Sequence, residues 1–343
     1  MTAVNVAGSA AIVTGGSRGL GLAIARELGL RGCRLVICAR DAAQLERAAD
    51  LLRKDGIEVA PVPCDITSPD APAVLIDAAM SRYGRLDILV NNAGIIQVGP
   101  AASIDFGDIE TAVATMALAP ARLALAAVPV LRDRGSGRIV NVTSVGGKIS
   151  VPHLLPYCMA KFAAVAFSEG LRAELGAGPV TVTTAVPGLM RTGSHVAALF
   201  RGQQDEEFTW FGLSASLPLL SMNAERAARR IVAAALAGKP EVTLTPAAQV
   251  GARAAAVFPS LTARLLHLAA MSLPGDGSGA WRGATGSDTG GTDGEPAPPA
   301  PGRELRPAVP AGLFDRLTAL GRNAARRFNQ RLTSREAADK VGP

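Results

Sequence analysis

Short runs rich in β-branched residues alternate along this chain with stretches that have the spacing of amphipathic helices. Strands joined by crossover helices run parallel in one sheet, so the alternation predicts an α/β fold. The seven predicted strands are AAIV (10–13), RLVIC (34–38), VAPVPC (59–64), LDILV (86–90), RIVNV (138–142), TVTTAV (181–186) and EVTL (241–244).

The third predicted strand contains Pro61 and Pro63. Proline lacks the amide N–H that a central strand needs, so it is tolerated mainly at the edge of a sheet. An edge position for strand 3 fits the order 3-2-1-4-5-6-7 of a Rossmann-type, doubly wound parallel sheet. We therefore predict this fold for residues 1–246, followed by a helical C-terminal extension.

The composition changes after residue 246. Residues 247–273 are apolar with helical spacing, and they predict a helical extension. Residues 274–312 are rich in Gly, Pro, Ser and Asp, which predicts a disordered linker because so little apolar surface is available for burial. Residues 313–343 contain a basic amphipathic helix over 313–332 and a tail. That helix is expected to dock on its own domain or a partner, with contact to an anionic membrane as the alternative.

The positive charge of the chain is concentrated at its C-terminal end. Of the formal net charge of +6, the segment from residue 303 onwards supplies +5, with nine Lys or Arg against four Asp or Glu. The preceding residues are almost neutral, so no nucleic-acid-binding groove is predicted across the main domain.

The cysteines and the N-terminus indicate a cytoplasmic protein. Cys33, Cys38, Cys64 and Cys158 form no CxxC pair and accompany no histidine cluster, so neither a disulfide framework nor a metal site is predicted. The first residues lack the pattern of an export signal. The most apolar stretch, residues 112–131, contains Arg122 and two prolines, which favours a buried helix over a membrane span.

A glycine-rich turn follows the first predicted strand directly, with the sequence TGGSRGLG. Glycines in a G-x-x-x-G-x-G spacing let the backbone turn sharply and approach a pyrophosphate at the N-terminus of the next helix. The turn therefore predicts a dinucleotide site formed by Gly15, Ser17, Arg18, Gly19, Leu20 and Gly21.

The residue that selects the cofactor is expected at the end of the second strand. An enzyme that uses NAD usually carries an acidic residue there, whereas this chain has Arg40. Arg40 and Arg18 can hold a 2′-phosphate by charge-assisted hydrogen bonds, so NADP(H) is favoured over NAD(H). Asp41 is the alternative ribose ligand, but we favour its interpretation as the N-cap of the following helix.

Tyr157 and Lys161 are spaced i and i+4, on one face of a predicted helix. A phenol with an ordinary pKa of about 10 needs a nearby cation to act as acid or base near neutrality, and Lys161 is expected to lower its pKa. Ser144, thirteen residues before the tyrosine, is predicted to hydrogen bond to the carbonyl oxygen that receives the proton.

Together these motifs resemble the short-chain dehydrogenases/reductases, from about residue 10 to residue 245. The resemblance implies that Asp65 contacts the adenine, Asn91 supports the cofactor loop, and Thr192 binds near the nicotinamide. A helix cap is the alternative for Asp65. Lys161 is implied to hold the ribose hydroxyls as well, and homodimers or homotetramers are implied through the helices after strands 4 and 5. The other implied cofactor-binding residues are Ala93, Gly94, Tyr157, Pro187 and Gly188.

The chain departs from the family pattern at one catalytic position. Many members have an asparagine that holds a proton-relaying water, in the helix after the motif NNAG, which is residues 91–94 in this chain. Alignment on Ala119 and Pro120 places Met116 at the position of that asparagine. A thioether holds water poorly. Two hypotheses follow: a reductase with another route for the relay, or a nucleotide-binding regulator or scaffold with weak or no turnover.

The substrate is predicted from the segment between strand 6 and the last helix of the domain. Phe200, Phe208, Trp210 and Phe211 lie there in a chain with few aromatic residues. They predict a lipophilic ketone or acyl carbonyl as substrate, reduced with NADPH or formed by the reverse alcohol oxidation. We call this segment, residues 193–223, the lid. The alternative is that the rings pack the lid onto the core. His153 is expected to line the pocket or, without a partner, to be incidental.

Overall fold

The computed structural model describes residues 5–216, 221–275, 298–310, 314 and 317–329. Its strands, numbered in chain order, are β1 (Ala10–Thr14), β2 (Arg34–Ala39), β3 (Val59–Pro63), β4 (Ile88–Asn91), β5 (Gln97–Val98), β6 (Gly137–Val142), β7 (Val180–Val186), β8 (Leu189–Arg191), β9 (Leu199–Phe200), β10 (Ser221–Asn223), β11 (Glu241–Thr243) and β12 (Ala300–Pro301).

Seven of these strands form one parallel sheet in the order β11-β7-β6-β4-β1-β2-β3. They are the seven strands predicted from the sequence, in the predicted spatial order. Pro61 pairs with Ile37 of β2, and β3 has no neighbour on its other side within the sheet. The prolines therefore lie in an edge strand, as predicted, where a missing amide donor interrupts no second ladder.

Helices cover both faces of the sheet and extend beyond it. They are α1 (Gly19–Gly29), α2 (Ala42–Lys54), α3 (Ala71–Tyr83), α4 (Phe106–Val113), α5 (Ala119–Asp133), α6 (Leu155–Leu175), α7 (Gln204–Ser216), α8 (Ala224–Leu236), α9 (Pro246–Val257), α10 (Pro259–Ala270) and α11 (Ala319–Arg327).

The hydrophobic core lies in two layers, one on each face of the sheet. Ala11 and Val13 of β1 pack into the layer with α1, α2 and α8, whereas Ala10 and Ile12 pack into the layer with α3, α5 and α6. All five residues of β1 are buried. Both faces of this central strand are therefore covered, as its uninterrupted apolar sequence requires.

A π-helical turn, Ala114–Leu118, joins α4 to α5 in one helical stretch, Phe106–Asp133. By length and composition, this stretch could cross a membrane. In the structure, Leu123, Ala127 and Leu131 belong to the core layer beside α3, which agrees with the predicted core helix on that face. Its other face is exposed, with Leu125 among the accessible side chains.

The expectation of a disordered linker is wrong for residues 298–310; residues 276–297 lie outside the described part. Ala300 and Pro301 of β12 pair antiparallel with Phe200 and Leu199 of β9. The amide of Ala308 also donates to Thr209 Oγ1 at 2.8 Å. The strand pairing of β12 with β9 uses main-chain groups, which depend little on side-chain composition, and for that reason the Pro- and Gly-rich sequence did not reveal it.

The described part of the predicted basic helix docks on its own domain. Phe314, Ala325 and Phe328 are buried, and α11 contacts α7 and β8. Docking on its own domain or on a partner was the favoured expectation for residues 313–332. Gly193, at the end of β8, approaches α11 so closely that a Cβ atom there would lie 2.3 Å from Ala325 Cβ.

Replacement of this glycine tests the docking of α11. Gly193 has a φ of +74°, so Gly193→Ala should cost about 2 kcal/mol or more in unfolding free energy, from backbone strain and from overlap with Ala325. Gly170→Ala in α6 is the control, because no atom lies within 4 Å of its Cβ position. Urea unfolding measures the unfolding free energy of both variants. If Gly193→Ala were as stable as Gly170→Ala, α11 would not pack at Gly193.

Candidate active site

The parallel sheet brings the candidate functional residues to one edge. The carboxyl ends of β1, β4, β6 and β7 lie side by side there. The glycine turn follows β1, the NNAG segment ends β4, Ser144 follows β6, and Pro187 and Gly188 follow β7. This is the edge at which doubly wound sheets bind their ligands.

The glycines of the turn after β1 occupy positions that do not accommodate a side chain. Gly15 and Gly19 have φ values of +64° and +57°, and a Cβ on Gly21 would lie 2.2 Å from the carbonyl oxygen of Gly15. Ser17 is buried in the same turn. The turn leads into the N-terminus of α1, where amide groups attract a phosphate.

The NNAG segment supports this turn through a residue other than the one predicted. Asn92 Nδ2 donates to the carbonyl oxygen of Thr14 at 3.0 Å, and Thr14 Oγ1 accepts from the amides of Asn92 and Ala93 at 2.9 and 3.1 Å. Asn91 instead donates to Asn141 Oδ1 and to the carbonyl oxygen of Pro120, which joins β4 to β6 and α5. The side-chain hydrogen bond from this segment to the turn thus comes from Asn92.

At the end of β2, Asp41 caps α2 by accepting a hydrogen bond from the Gln44 amide at 2.9 Å, as its favoured interpretation predicted. Asp65 accepts from the amide and hydroxyl of Thr67 in an Asx turn, whereas the N-cap position of α3 belongs to Asp70. The amide of Thr67, and to a smaller extent the charge of Arg40, lower the pKa of Asp65.

These residues fit a dinucleotide. The tight turn and the α1 N-terminus suit a diphosphate, and Arg40 lies near enough to Asp65 for its charge to lower the pKa of that carboxyl. At the nicotinamide end, Thr192 is buried, and a Cβ on Gly188 would lie 2.9 Å from Thr245 Oγ1. The space around the Pro187-Gly188 loop thus requires glycine, as the turn after β1 does.

The C-terminal segment makes a contact with the glycine turn that the sequence did not indicate. The Gly19 amide donates to the carbonyl oxygen of Phe328 at 2.9 Å. Asn329 Nδ2 donates to the carbonyl oxygens of Ser17 and Gln44 at 2.8 and 2.9 Å. One amide at the N-terminus of α1 therefore already has an acceptor from this segment.

Ser144, Tyr157 and Lys161 come together where the carboxyl end of β6 meets the first two turns of α6. Ser144 Oγ accepts from the amide of Gly146 at 3.0 Å and shares a hydrogen bond with the Tyr157 side chain. Lys161 Nζ lies 5.8 Å from the centre of the Tyr157 ring and donates to the carbonyl oxygen of Val142 at 2.9 Å. The predicted trio thus forms one cluster.

Burial controls the protonation of this cluster. It raises the pKa of Tyr157 to about 12, against the opposing effect of the Ser144 hydrogen bond. Burial also lowers the pKa of Lys161 to about 8. The sequence predicted that Lys161 lowers the pKa of Tyr157, and the structure differs because desolvation of the phenolate dominates. The phenol is therefore protonated at neutral pH.

Met116 lies beside this cluster, in the π-helical turn. Its side chain is buried and packs with Ala160 and Tyr157. A cavity of about 10 Å³, roughly the space for one water molecule, is lined by Met116, Lys161 and Asn91 among others. Asn91 Oδ1 is buried and has no hydrogen-bond partner among the described residues. The departure from the family pattern therefore lies within the site.

Most of the lid aromatics pack against one another. The rings of Phe200 and Phe208 are 5.7 Å apart, and Phe208 lies 5.3 Å from Phe314 of the C-terminal segment. Phe200, Phe208 and Phe211 are buried, whereas Trp210 is partly exposed. The buried rings thus follow the alternative in which they pack the lid onto the core.

His153 has a partner that the sequence did not reveal. Its Nδ1 lies 2.7 Å from Oε1 of Glu207, whose side chain is fully buried. Trp210 Nε1 donates to the other carboxylate oxygen at 2.6 Å. The pair links α7 of the lid to the loop before α6, across 54 residues of sequence. No local pattern could have indicated a contact over that separation.

A dinucleotide turn beside a Ser, Tyr and Lys cluster, at the carboxyl edge of a parallel sheet, defines a nucleotide-dependent oxidoreductase. A family profile described as short chain dehydrogenase matches residues 9–199. The chain belongs to the short-chain dehydrogenases/reductases, as the resemblance predicted. It is an NAD(P)-dependent oxidoreductase that acts on CH–OH or C=O groups.

Similar proteins extend this comparison. A protein of Streptomyces violaceoruber, named for the ketoacyl reductase 1 of the granaticin polyketide synthase, is 36% identical over 207 residues, which are 58% of this chain and 76% of that protein. A substituted actinorhodin polyketide ketoreductase with NADPH has a TM-score of 0.62 and 30% identity, covering 72% of this chain and 99% of its own. The L-sorbose reductase of Gluconobacter frateurii, complexed with NADPH and L-sorbose, has a TM-score of 0.64 and 25% identity, covering 71% and 97%.

Removal of the buried carboxylate tests the link between the lid and α6. Glu207→Ala leaves His153 and Trp210 without their acceptor and should lower the unfolding free energy by about 3 kcal/mol. Glu206→Ala is the matched control, because Glu206 is exposed on the same helix. Urea unfolding compares the two variants. Equal stability would mean that Glu207 does not hold the lid.

Proposed function

We propose that this protein uses NADPH to reduce a lipophilic ketone or acyl carbonyl, and that it oxidises the corresponding alcohol in the reverse direction. The observation that carries the proposal is the cluster of Ser144, Tyr157 and Lys161 at the carboxyl edge of the sheet, in which Tyr157 holds its proton. Burial raises its pKa to about 12, and its side chain is hydrogen bonded to Ser144 beside Lys161. A positioned proton donor at a dinucleotide site suits carbonyl reduction.

Each residue of the cluster has a part in this reaction. The bound nicotinamide supplies a hydride to the carbonyl carbon. The hydroxyls of Ser144 and Tyr157 orient the carbonyl oxygen, and Tyr157 transfers its proton to that oxygen as negative charge develops. Lys161, held by the Val142 carbonyl, compensates the charge left on the phenolate and holds the ribose hydroxyls.

The preference for NADP(H) over NAD(H) rests on the residues at the adenosine end. Arg18 and Arg40 bring two guanidinium groups toward the place of the 2′-phosphate, and Asp41 uses its carboxylate to cap α2. Cofactor contacts are proposed for the predicted residues of the glycine turn, for Asp65, and for the residues after β4 and β7, with Asn92 as the support of the turn. Two similar structures contain NADPH.

The proposal extends to the substrate class, the assembly and the location of the protein. Trp210, at the partly exposed side of the lid, favours an apolar substrate, as do the ketoacyl reductases among the relatives.

Exposed apolar side chains on α5 and α6, among them Leu125 and Met159, favour a homodimer or homotetramer. All four cysteines are free thiols, which suits the cytoplasm.

A second candidate function is a nucleotide-binding regulator or scaffold with weak turnover. Met116 favours it, because the thioether stands beside Lys161 where an asparagine would hold a relay water. In that case the nucleotide would bind tightly without being oxidised by any ketone.

Substitution of each of the two tyrosines of this chain distinguishes the reductase from the regulator. Tyr157→Phe should lower NADPH oxidation with lipophilic ketones by about 100-fold or more and leave NADPH binding unchanged, because only the proton donor is lost. Tyr83→Phe, which removes a hydroxyl bonded to the Leu35 carbonyl, should keep full turnover. Turnover is read as absorbance loss and binding as nucleotide fluorescence. Full turnover by Tyr157→Phe would overturn the site, and tight NADPH binding without turnover by the unaltered chain would favour the regulator.

The pKa values also predict the pH dependence of reduction. Tyr157, with a pKa of about 12, stays protonated through neutral and moderately alkaline pH, whereas Lys161 loses its proton as the pH rises through about 8. The kcat for ketone reduction should therefore be highest below pH 8 and fall above it. In Lys161→Arg the inflection should disappear, because a guanidinium does not titrate there. An unaltered inflection in that variant would contradict the assignment.

A further inference from the structure

The helix pair α9–α10 presents an unusually accessible apolar surface. No residue of α10 is buried. Seven large apolar side chains of the pair and its ends are each more than half exposed: Val250, Val257, Phe258, Leu261, Leu265, Leu268 and Met271. Several of them recur at helical spacing of three or four residues, which places them in a stripe rather than scattered over the surface.

The charge of the same surface has a single sign. Residues 246–275 contain no Asp or Glu, while Arg253, Arg264 and His267 lie among the apolar positions. Arg264 and His267 line a shallow surface depression with Leu268 and Ala263. An apolar stripe that carries two arginines and no acidic side chain is complementary to an anionic lipid surface.

The helix pair stands at the rim of the active site. At its start, a Cβ on Gly251 of α9 would lie 3.2 Å from Ile149 Cδ1, in the loop between Ser144 and Tyr157. At its end, the carbonyl oxygen of Gly275 accepts from Gln203 Nε2, directly before the lid helix α7, at 3.2 Å. The pair and the residues that follow it therefore connect the loop between Ser144 and Tyr157 with the start of the lid helix.

We propose that α9–α10 is a membrane-contacting surface that rests in the headgroup region of an anionic bilayer and holds the rim of the active site there. The exposed leucines and Phe258 enter the interface, and Arg253 and Arg264 meet lipid phosphates. A lipophilic compound dissolved in the bilayer then reaches the site without crossing water. The membrane contact itself does not depend on the reductase activity.

A second copy of this chain is a less suitable occupant of the surface. In a two-fold dimer the same patch faces itself, so Arg253, Arg264 and His267 of one copy would approach those of the other with no carboxylate from residues 246–275 to pair with them. Nor does α11 replace this surface, since its Ala325 and Phe328 are buried in its own domain.

Cosedimentation of the full chain with vesicles tests the proposal. The vesicles are phosphatidylcholine with about one third phosphatidylglycerol, or phosphatidylcholine alone, at low and high salt. The variant Leu261→Ser with Leu265→Ser removes two exposed leucines of α10. The matched control, Leu30→Ser with Val74→Ser, removes two exposed apolar side chains in the N-terminal part of the domain, one directly after α1 and one on α3.

The unaltered chain and the control should sediment with the anionic vesicles, more weakly at high salt, and the α10 variant should bind at least about tenfold more weakly. Failure of the unaltered chain to bind either vesicle would overturn the proposal, as would equal binding by the α10 variant. Light scattering without vesicles gives the remaining check. A loss of oligomer mass confined to the α10 variant would assign the surface to a second copy instead.

Discussion

Burial of β1 on both faces is the constraint on which the rest of the structure depends. A strand with no polar face has to lie inside the sheet, with helices above and below it. Its parallel neighbours β2 and β4 then end at the same edge, where the glycine turn meets the NNAG segment through Asn92 and Thr14. The cofactor site is thus a direct consequence of the way the core is covered.

The same exclusion of water sets the chemistry of the catalytic cluster. It keeps the phenol of Tyr157 protonated and makes the ammonium of Lys161 easier to deprotonate than in water. In the proposed reaction the first effect keeps the proton on Tyr157 until it is transferred, whereas the second confines the positively charged form of Lys161 to pH values below about 8. Met116 occupies the position of the family's asparagine and adds apolar surface to this environment. Among the described residues, the cavity beside Lys161 also contains Asn91 Oδ1, a buried acceptor without a hydrogen-bond partner.

The part of the chain beyond the sheet surrounds the site from several sides. Residues 298–310 add a strand and backbone hydrogen bonds to the lid, Phe314 fills its aromatic cluster, and Asn329 fixes the C-terminal segment to the glycine turn. The helix pair α9–α10 completes the rim and leaves its apolar stripe exposed. The C-terminal segment therefore contacts both the lid and the cofactor turn.

The sequence by itself determined the seven-strand sheet, its order and the candidate cluster, because alternating apolar periodicity, edge prolines and motifs at fixed spacing are local signals. Tertiary structure decided which asparagine supports the turn, how Glu207 partners His153, and where residues 298–310 attach. It also decided the pKa of Tyr157, which sequence spacing predicted with the wrong sign. Those outcomes depend on contacts between distant residues and on how completely water is excluded, and neither quantity is written in any short stretch of sequence.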